Sequence, residues 1–190
     1  AASRILAVAA LCAASLVGLV IGEGMAREGG QEALMPMEAV DPRSLLQGHY
    51  VELRLVQRLA LNESCPQMED ETKWLAFQRG DDAVLAFAGA ATSRDNAQRI
   101  APIPVKGAFT CSEPVIVGDS PAVPGWVQLD VGISRFHINQ AESERIERVL
   151  REQRPDRETR AFAIVSIGRD GRARLRGLMI DGERLELSWL

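Results

Sequence analysis

Apolar residues are concentrated at the start of the chain. From Ile5 to Gly22 there are eighteen consecutive uncharged residues, mostly Leu, Val, Ile, Ala and Gly. A helix of this length extends about 27 Å, close to the ~30 Å hydrocarbon layer of a bilayer. Arg4 precedes the run, and the positive-inside rule therefore places the N-terminus in the cytoplasm. The pattern predicts a transmembrane anchor over residues 1–22 and a remainder on the far side of the membrane.

Three other interpretations of this segment are weaker. The apolar core of a cleaved signal peptide is normally about 7–15 residues long, which is shorter than this run. A lipid anchor on Cys12 is disfavoured because Leu11 occupies the position where a small residue is expected. A buried helix of a soluble core rarely lacks a polar face over such a length. We therefore expect a retained signal anchor in a bacterial inner membrane.

The segment after the anchor shows no regular period. Residues 23–40 contain Gly24, Gly29, Gly30 and Pro36 among alternating charges and short side chains. Such a composition is typical of a linker, so we predict a tether over 23–40 that lifts the following domain off the membrane. The apolar side chains in it are either incidental or dock on the domain or a partner; they are Leu34, Met35 and Met37.

The remainder, 41–190, is dominated by the period of two that predicts half-buried strands. Predicted strands cover residues 48–55, 73–79, 83–88, 105–110, 114–117 and 126–138. Five prolines between residues 90 and 124 predict long loops there. A capping pattern at Asn139 and Glu142, closed by Pro155, predicts one amphipathic helix.

The C-terminal part predicts a three-strand meander. Strands over 161–167, 172–180 and 183–190 are separated by two Asp-Gly turns. The fold class that follows is mainly β (α+β): one transmembrane helix, then a compact antiparallel periplasmic domain with one amphipathic helix and this meander.

On the middle strand of the meander, Arg172, Arg174 and Arg176 share one face. They form either a possible interaction surface for acidic lipid headgroups or a carboxylate-rich partner, or the solvated face of a sheet. In the second interpretation Glu183 or Glu186 lies across the ladder.

Composition narrows the function. With 190 residues, 46% hydrophobic, the chain can bury an ordinary core, and its net charge of −4 argues against nucleic acid as a partner. The two histidines lack metal-ligand spacing, and the Gly-rich stretch 22–30 lacks the lysine of a phosphate loop. Ser44 and the only lysines, Lys73 and Lys106, form no recognisable catalytic pattern. We expect no enzyme activity, no metal and no cofactor.

The cysteines support an exported domain. Cys65 and Cys111 lie in loop or strand-end contexts, and thiols outside the cytoplasm tend to be oxidised. We therefore predict a disulfide between them. Cys12 lies in the anchor and is expected to be inert.

One stretch resembles a known family. The segment from Asp41 to Leu55, DPRSLLQGHYVELRL, is similar to the opening motif of the membrane-anchored GDYXXLXY family. His49 and Leu55 depart from that motif, at positions where the family has Asp and Tyr. The matching motif residues include Asp41, Pro42, Arg43, Gly48, Tyr50 and Leu53.

Later segments also resemble the family, around Arg135–Ile138 and in the C-terminal hairpins. The resemblance implies a single-helix anchor, an exported β-rich domain, no established enzymatic activity, and frequent encoding beside a polytopic membrane protein.

Two functions remain as expectations. The first is a non-catalytic accessory or scaffold subunit of an inner-membrane assembly, respiratory, photosynthetic or transport, whose partners are the lipid bilayer and other integral membrane subunits. The second is a membrane-tethered module that binds a ligand or senses the envelope.

Overall fold

The computed structural model describes residues 2–37, 50–61, 63–66, 72–115, 123–137 and 161–186. The helices are α1 (Ala2–Glu28) and α2 (Arg94–Ile100). The first strands are β1 (Gln31–Met37), β2 (Tyr50–Glu52), β3 (Leu55–Arg58), β4 (Trp74–Arg79), β5 (Leu85–Ala91) and β6 (Ile103–Lys106). The later strands are β7 (Ala108–Ser112), β8 (Trp126–Asp130), β9 (Arg135–His137), β10 (Ala161–Ile167), β11 (Ala173–Ile180) and β12 (Glu183–Glu186).

The strands form three antiparallel sheets. The main sheet has seven strands in the order β12-β11-β10-β1-β3-β8-β7, a second sheet has the order β5-β4-β6, and β2 pairs with β9. Within the described residues, every ladder between these strands is antiparallel. The predicted fold class, an apolar helix followed by a mainly β antiparallel domain, is confirmed.

The core lies between the main sheet and the three-stranded sheet. Side chains from both sheets join one cluster, in which Met35 and Leu55 of the main sheet and Phe77 of the smaller sheet are fully buried. Phe87 bridges the two layers, with its ring centroid 5.8 Å from that of Phe77 and 5.2 Å from that of Phe109. Burial of apolar surface from two facing sheets is the main source of stability for such an architecture.

The predicted tether is wrong over its described part. Helix α1 continues to Glu28, and residues 31–37 form β1 in the middle of the main sheet. Strand β1 pairs with β10 along its whole length, from Gln31 opposite Ile167 to Met37 opposite Ala161. Of the two alternatives for its apolar residues, contact with the domain is the one observed: Leu34 and Met35 are buried and Met37 packs against the central cluster.

Several predicted strands are divided between sheets. The run 105–110 breaks at Gly107, where the chain passes from β6 in the smaller sheet to β7 in the main sheet. A side chain at Gly107 would lie 2.4 Å from the carbonyl oxygen of Asp130, so only glycine fits this crossing. The runs 48–55 and 126–138 are likewise split into β2 with β3, and β8 with β9.

The region predicted as long loops contains regular structure as well. Helix α2 lies within this region. The Ser93 hydroxyl accepts a hydrogen bond from the Asn96 backbone amide at 3.3 Å and thereby caps the start of the helix. Strands β6 and β7 follow α2 in the same region. The predicted strand 114–117 is described only at its start, where Val115 forms an isolated bridge with Val123. The predicted amphipathic helix at 139–155 lies outside the described residues.

The C-terminal meander is confirmed as β10, β11 and β12. Its first turn contains Gly171 and its second contains Gly182, both with positive φ, 76° and 87°. Strand β12 ends at Glu186 in the described chain, and β11 begins at Ala173.

The predicted disulfide is present. Cys65 and Cys111 are bonded, with their Cα atoms 5.9 Å apart and a separation of 46 positions in sequence. In the chain-entropy model a loop of this size stabilises the folded state by about 4 kcal/mol. The backbone amide of Cys65 also donates to the Glu113 carboxylate at 2.8 Å, which joins the same two segments. Cys12 is a free, exposed thiol on α1.

The two turn glycines give a matched test of packing. A Cβ at Gly171 would lie 2.3 Å from the Trp74 ring, whereas a Cβ at Gly182 would meet nothing within 4 Å. We expect Gly182→Ala to cost about 1 kcal/mol through its backbone conformation alone, and Gly171→Ala to cost about 1–3 kcal/mol more through the clash. Chemical unfolding of the full chain in detergent measures both. Equal costs would contradict the position of Trp74.

Candidate functional site

The apolar surface of α1 is not covered by the domain. In the described chain, one helix is long and apolar enough to cross a membrane, residues 3–28, and none of its most apolar window is buried. The large hydrophobic side chains of α1 remain between 57% and 73% exposed. These include Leu6, Leu11, Leu19, Val20 and Ile21. Such a surface fits contact with lipid or with other apolar helices.

Arg174 joins the end of this helix to the sheet. It is 8% exposed, and its Nε donates to Glu23 at 2.6 Å. Its Nη2 donates to Asp170 at 2.9 Å, in the turn between β10 and β11. Glu23 is the first charged residue after the apolar run. One guanidinium on the domain therefore binds the anchor at the position where its apolar run ends.

The charges of this cluster stabilise one another. Hydrogen bonds from the Arg174 guanidinium hold the pKa of Asp170 at about 2, below its ordinary 3.8, and outweigh the opposing effect of desolvation. Hydrogen bonding to Asp170, and then to Glu23, raises the pKa of Arg174 above its usual range. Asp170 also accepts from the backbone amide of Arg172 at 3.1 Å, which fixes the turn. Asp170 and Arg174 thus remain ionised at any physiological pH.

A second cluster ties β1 to the edge of the sheet. The Glu32 carboxylate binds Arg184 at 2.8 Å and Arg176 at 3.0 Å. Arg184 also binds Glu186 at 2.8 Å. The hydrogen bond from Arg184 is the main cause of the lowered pKa of Glu32. Both clusters therefore use charge to hold the residues that follow the anchor against β11 and β12.

Gly30 permits this close junction. A Cβ at Gly30 would lie 2.1 Å from the Ser166 hydroxyl oxygen and 3.0 Å from the carbonyl oxygen of Ile167. Ser166 is fully buried on β10. Because only glycine fits here, α1 and the start of β1 approach β10 without an intervening side chain.

The predicted arginine stripe is not a uniform surface. Arg174 is buried, Arg176 is half-buried on Glu32, and only Arg172 has a largely exposed side chain, at 67%. The partners expected across the ladder were Glu183 or Glu186, whereas the observed carboxylates are Glu23, Asp170 and Glu32. Sequence analysis did not identify those three carboxylates as partners of the arginines. Glu23 and Glu32 are distant from β11 in sequence, and the contact of Asp170 depends on the conformation of the β10–β11 turn.

Two clefts open on either side of the β10–β11 turn. The larger has a volume of about 600 Å³ and is lined in part by Lys73, Lys106, Asp130 and Arg172. The smaller, about 330 Å³, includes Gly29, Gln31, Arg94 and Arg169 in its lining. Among the described residues there is no group of three or more His, Cys, Asp or Glu side chains placed to hold a metal ion.

Comparison with known proteins decides the class to which this architecture belongs. A family model described as GDYXXLXY protein matches residues 12–178, most of the chain. This chain is a member of the GDYXXLXY family. Searches of curated proteins and of solved structures found no match. Family membership and the exposed apolar helix together fit a membrane-anchored protein.

The described part of the GDYXXLXY motif is structural. Tyr50 lies in β2, where it pairs with His137, and Leu53 is buried in the core. Leu55, at the position of the last Tyr of the motif, is 1% exposed and is paired with Met37 and Leu129. The other motif residues lie outside the described residues; they are Asp41, Pro42, Arg43, Gly48 and the departing His49.

Removal of Arg174 tests the junction. We expect Arg174→Gln to lower the free energy of unfolding by about 1–3 kcal/mol. This loss is smaller than the loss expected on breaking a fully buried ion pair, because the side chains of Glu23 and Asp170 are each about half exposed. Arg172→Gln is the matched control and is expected to stay within about 0.5 kcal/mol. Denaturant unfolding in detergent provides the comparison. The structural assignment fails if both variants behave alike.

The lowered pKa of Asp170 predicts acid sensitivity. Because the folded pKa lies below the unfolded one, the contribution is complete above pH 4 and is lost as the pH falls from about 4 toward 2. Asp170→Asn should therefore reduce the pH dependence of stability in that window. Some pH dependence should remain in the variant, because the pKa of Glu32 is lowered as well. Unfolding measured at several pH values checks this. Parallel profiles for the wild type and the variant would count against the ion pair.

Proposed function

We propose that this protein is a non-catalytic, single-pass accessory or scaffold subunit of an inner-membrane protein assembly, with its β domain in the periplasm. The observation that carries the proposal is the bidentate hold of Arg174 on Glu23, together with its bonds to Asp170. A domain fixed directly to its anchor presents the same faces to its neighbours at all times. Such a fixed orientation suits a subunit that positions or stabilises others.

The anchor offers a face for other helices. Ala10, Ala14 and Gly18 follow one another at intervals of four residues and form a stripe of small residues along α1. Small residues allow the backbones of neighbouring transmembrane helices to approach closely. Ala10 and Ala14 are exposed, and no described atom of the domain lies within 4 Å of a Cβ placed at Gly18, so the described part of the domain does not cover this stripe.

The described part of the domain also exposes large apolar side chains. Val115 and Val123, bridged to each other, are 49% and 59% exposed. Trp126, at the same end of the β7–β8 ladder, is 39% exposed, and Leu61 is 58% exposed. Exposed large hydrophobic side chains of this kind are typical of protein contact surfaces. They supply a second point of contact with a partner.

The use of charge supports a non-catalytic role. In the described chain the shifted pKa values belong to Glu32, Asp170, Arg174 and Arg184. All four groups form ion pairs that hold the anchor and β1 to the sheet. Their shifted pKa values therefore reflect structural ion pairs and not a catalytic acid or base.

The compartment follows from two features. The Cys65–Cys111 disulfide fits an oxidising environment. By the positive-inside rule, Arg4 before the apolar run favours a cytoplasmic N-terminus, which supports a periplasmic location for the domain. Alkylation of free thiols in intact cells tests this: we expect Cys65 and Cys111 to be oxidised, and reduced thiols at both positions would contradict the periplasmic location.

The alternative function, a ligand-binding or envelope-sensing module, needs an enclosed pocket with apolar walls and few polar groups. The clefts of the described chain are instead rich in cations and open beside the anchor. We therefore place this alternative second.

Purification from native membranes tests the main proposal. A tagged full chain extracted in mild detergent is expected to bring with it integral membrane subunits in a constant ratio. Ala14→Leu with Gly18→Leu should reduce that recovery, because bulky residues on the small-residue stripe separate the helices. Val20→Leu, on the opposite face of α1, is the matched control. A protein that is always recovered alone, as a monomer, would overturn the proposed role.

A further inference from the structure

The residues that line the two clefts have an excess of positive charge. The two clefts that flank the β10–β11 turn contain five cations and one carboxylate between them. The chain as a whole has a net charge of −4, so this concentration is a local departure from its composition. The cations are Lys73, Lys106 and Arg172 in the larger cleft, and Arg94 and Arg169 in the smaller.

The larger cleft is held open by backbone bonds. The amide of Lys106 donates to the carbonyl of Gly171 at 2.8 Å, and the amide of Gly107 donates to the carbonyl of Lys73 at 3.1 Å. These bonds join β4, β6 and the β10–β11 turn, which belong to different sheets. These bonds therefore fix the backbone positions from which Lys73, Lys106 and Arg172 extend.

Trp74 lies between the two clefts. The Lys106 Nζ lies 5.4 Å from the centroid of the Trp74 ring, and the Arg94 guanidinium carbon lies 5.9 Å from it. Gly171 allows the turn to pack against this ring, as described above. A half-buried tryptophan flanked by cations is suited to the headgroup layer of a membrane, where an amphipathic ring is favoured.

The clefts lie at the level where the anchor leaves the lipid. The lining of the smaller cleft includes Gly29, the residue directly after α1, and Gln31, the first residue of β1. Ala173 lines the larger cleft and precedes Arg174, whose guanidinium binds Glu23. Glu23 directly follows the last apolar residue of the span. Lipid headgroups are therefore the groups of the bilayer nearest to both clefts, and the attachment to the anchor keeps their local concentration high.

We propose that these clefts bind the phosphate groups of anionic phospholipids in the leaflet from which the anchor emerges. The inference rests on the membrane anchoring that underlies the proposed function. The phosphodiester of such a lipid meets Lys73 and Arg172 in the larger cleft, while Trp74 packs at the interface. Arg174 takes no part, because its bonds are used by Glu23 and Asp170.

The test places the full chain in phosphatidylcholine nanodiscs with and without phosphatidylglycerol and follows amide hydrogen exchange. We expect exchange at 105–108 and 168–173 to slow several-fold only with phosphatidylglycerol, and the effect to disappear at high salt. Lys73→Gln with Arg172→Gln should abolish it, since each cation near an anionic surface strengthens binding about fivefold. Arg54→Gln with Arg99→Gln removes the same charge from two exposed residues that line neither cleft and should keep the protection.

Each outcome decides the proposal. Equal exchange in both lipids, or protection that survives the Lys73 and Arg172 substitutions, overturns it. So does cross-linking of these clefts to an acidic protein in native membranes in place of lipid. The nanodisc contains no partner protein, so lipid-dependent protection does not depend on whether membrane subunits co-purify with the chain. Conversely, the absence of protection in nanodiscs would not contradict the accessory role.

Discussion

Burial of the Arg174 side chain is the constraint on which the arrangement of this molecule depends. A guanidinium that is 8% exposed needs charged partners, because an unpaired buried charge is strongly destabilising. Its two carboxylates come from separate parts of the chain, Glu23 on α1 and Asp170 in the β10–β11 turn. The anchor and the sheet are therefore joined by a group that cannot release either partner without cost.

The route of the chain reinforces this constraint. Only Gly29 and Gly30 separate α1 from β1, and β1 is an interior strand of the main sheet paired with β10 along all its seven residues. The segment leaving the membrane thus enters the core of the domain directly. The cations of the smaller cleft and Trp74 lie beside the residues that follow the anchor, whereas Val115, Val123 and Trp126 form a separate exposed apolar surface.

The family motif contributes to the same framework. Its described residues run through β2 and β3, where the chain crosses from a small sheet to the main one and buries Leu53 and Leu55. Leu55 lies next to β1 and β8 in the main sheet, so an apolar residue in place of the motif tyrosine suits this fully buried position. The disulfide lies near the end of the β7–β8 ladder at which Ser112 pairs with Trp126. Motif, disulfide and ion pairs each join segments that are distant in sequence.

The sequence by itself determined the apolar anchor, the antiparallel β class, the C-terminal meander, the Cys65–Cys111 pair and the family, because each depends on local periodicity, turn residues or a linear motif. It did not predict β1, whose residues alternate poorly and include Pro36, nor the partners of Arg174. The tertiary structure decided both. A strand paired on both sides is stabilised by its neighbours more than by its own pattern, and an ion pair such as Glu23 with Arg174 joins residues 151 positions apart, so only the packed fold defines it.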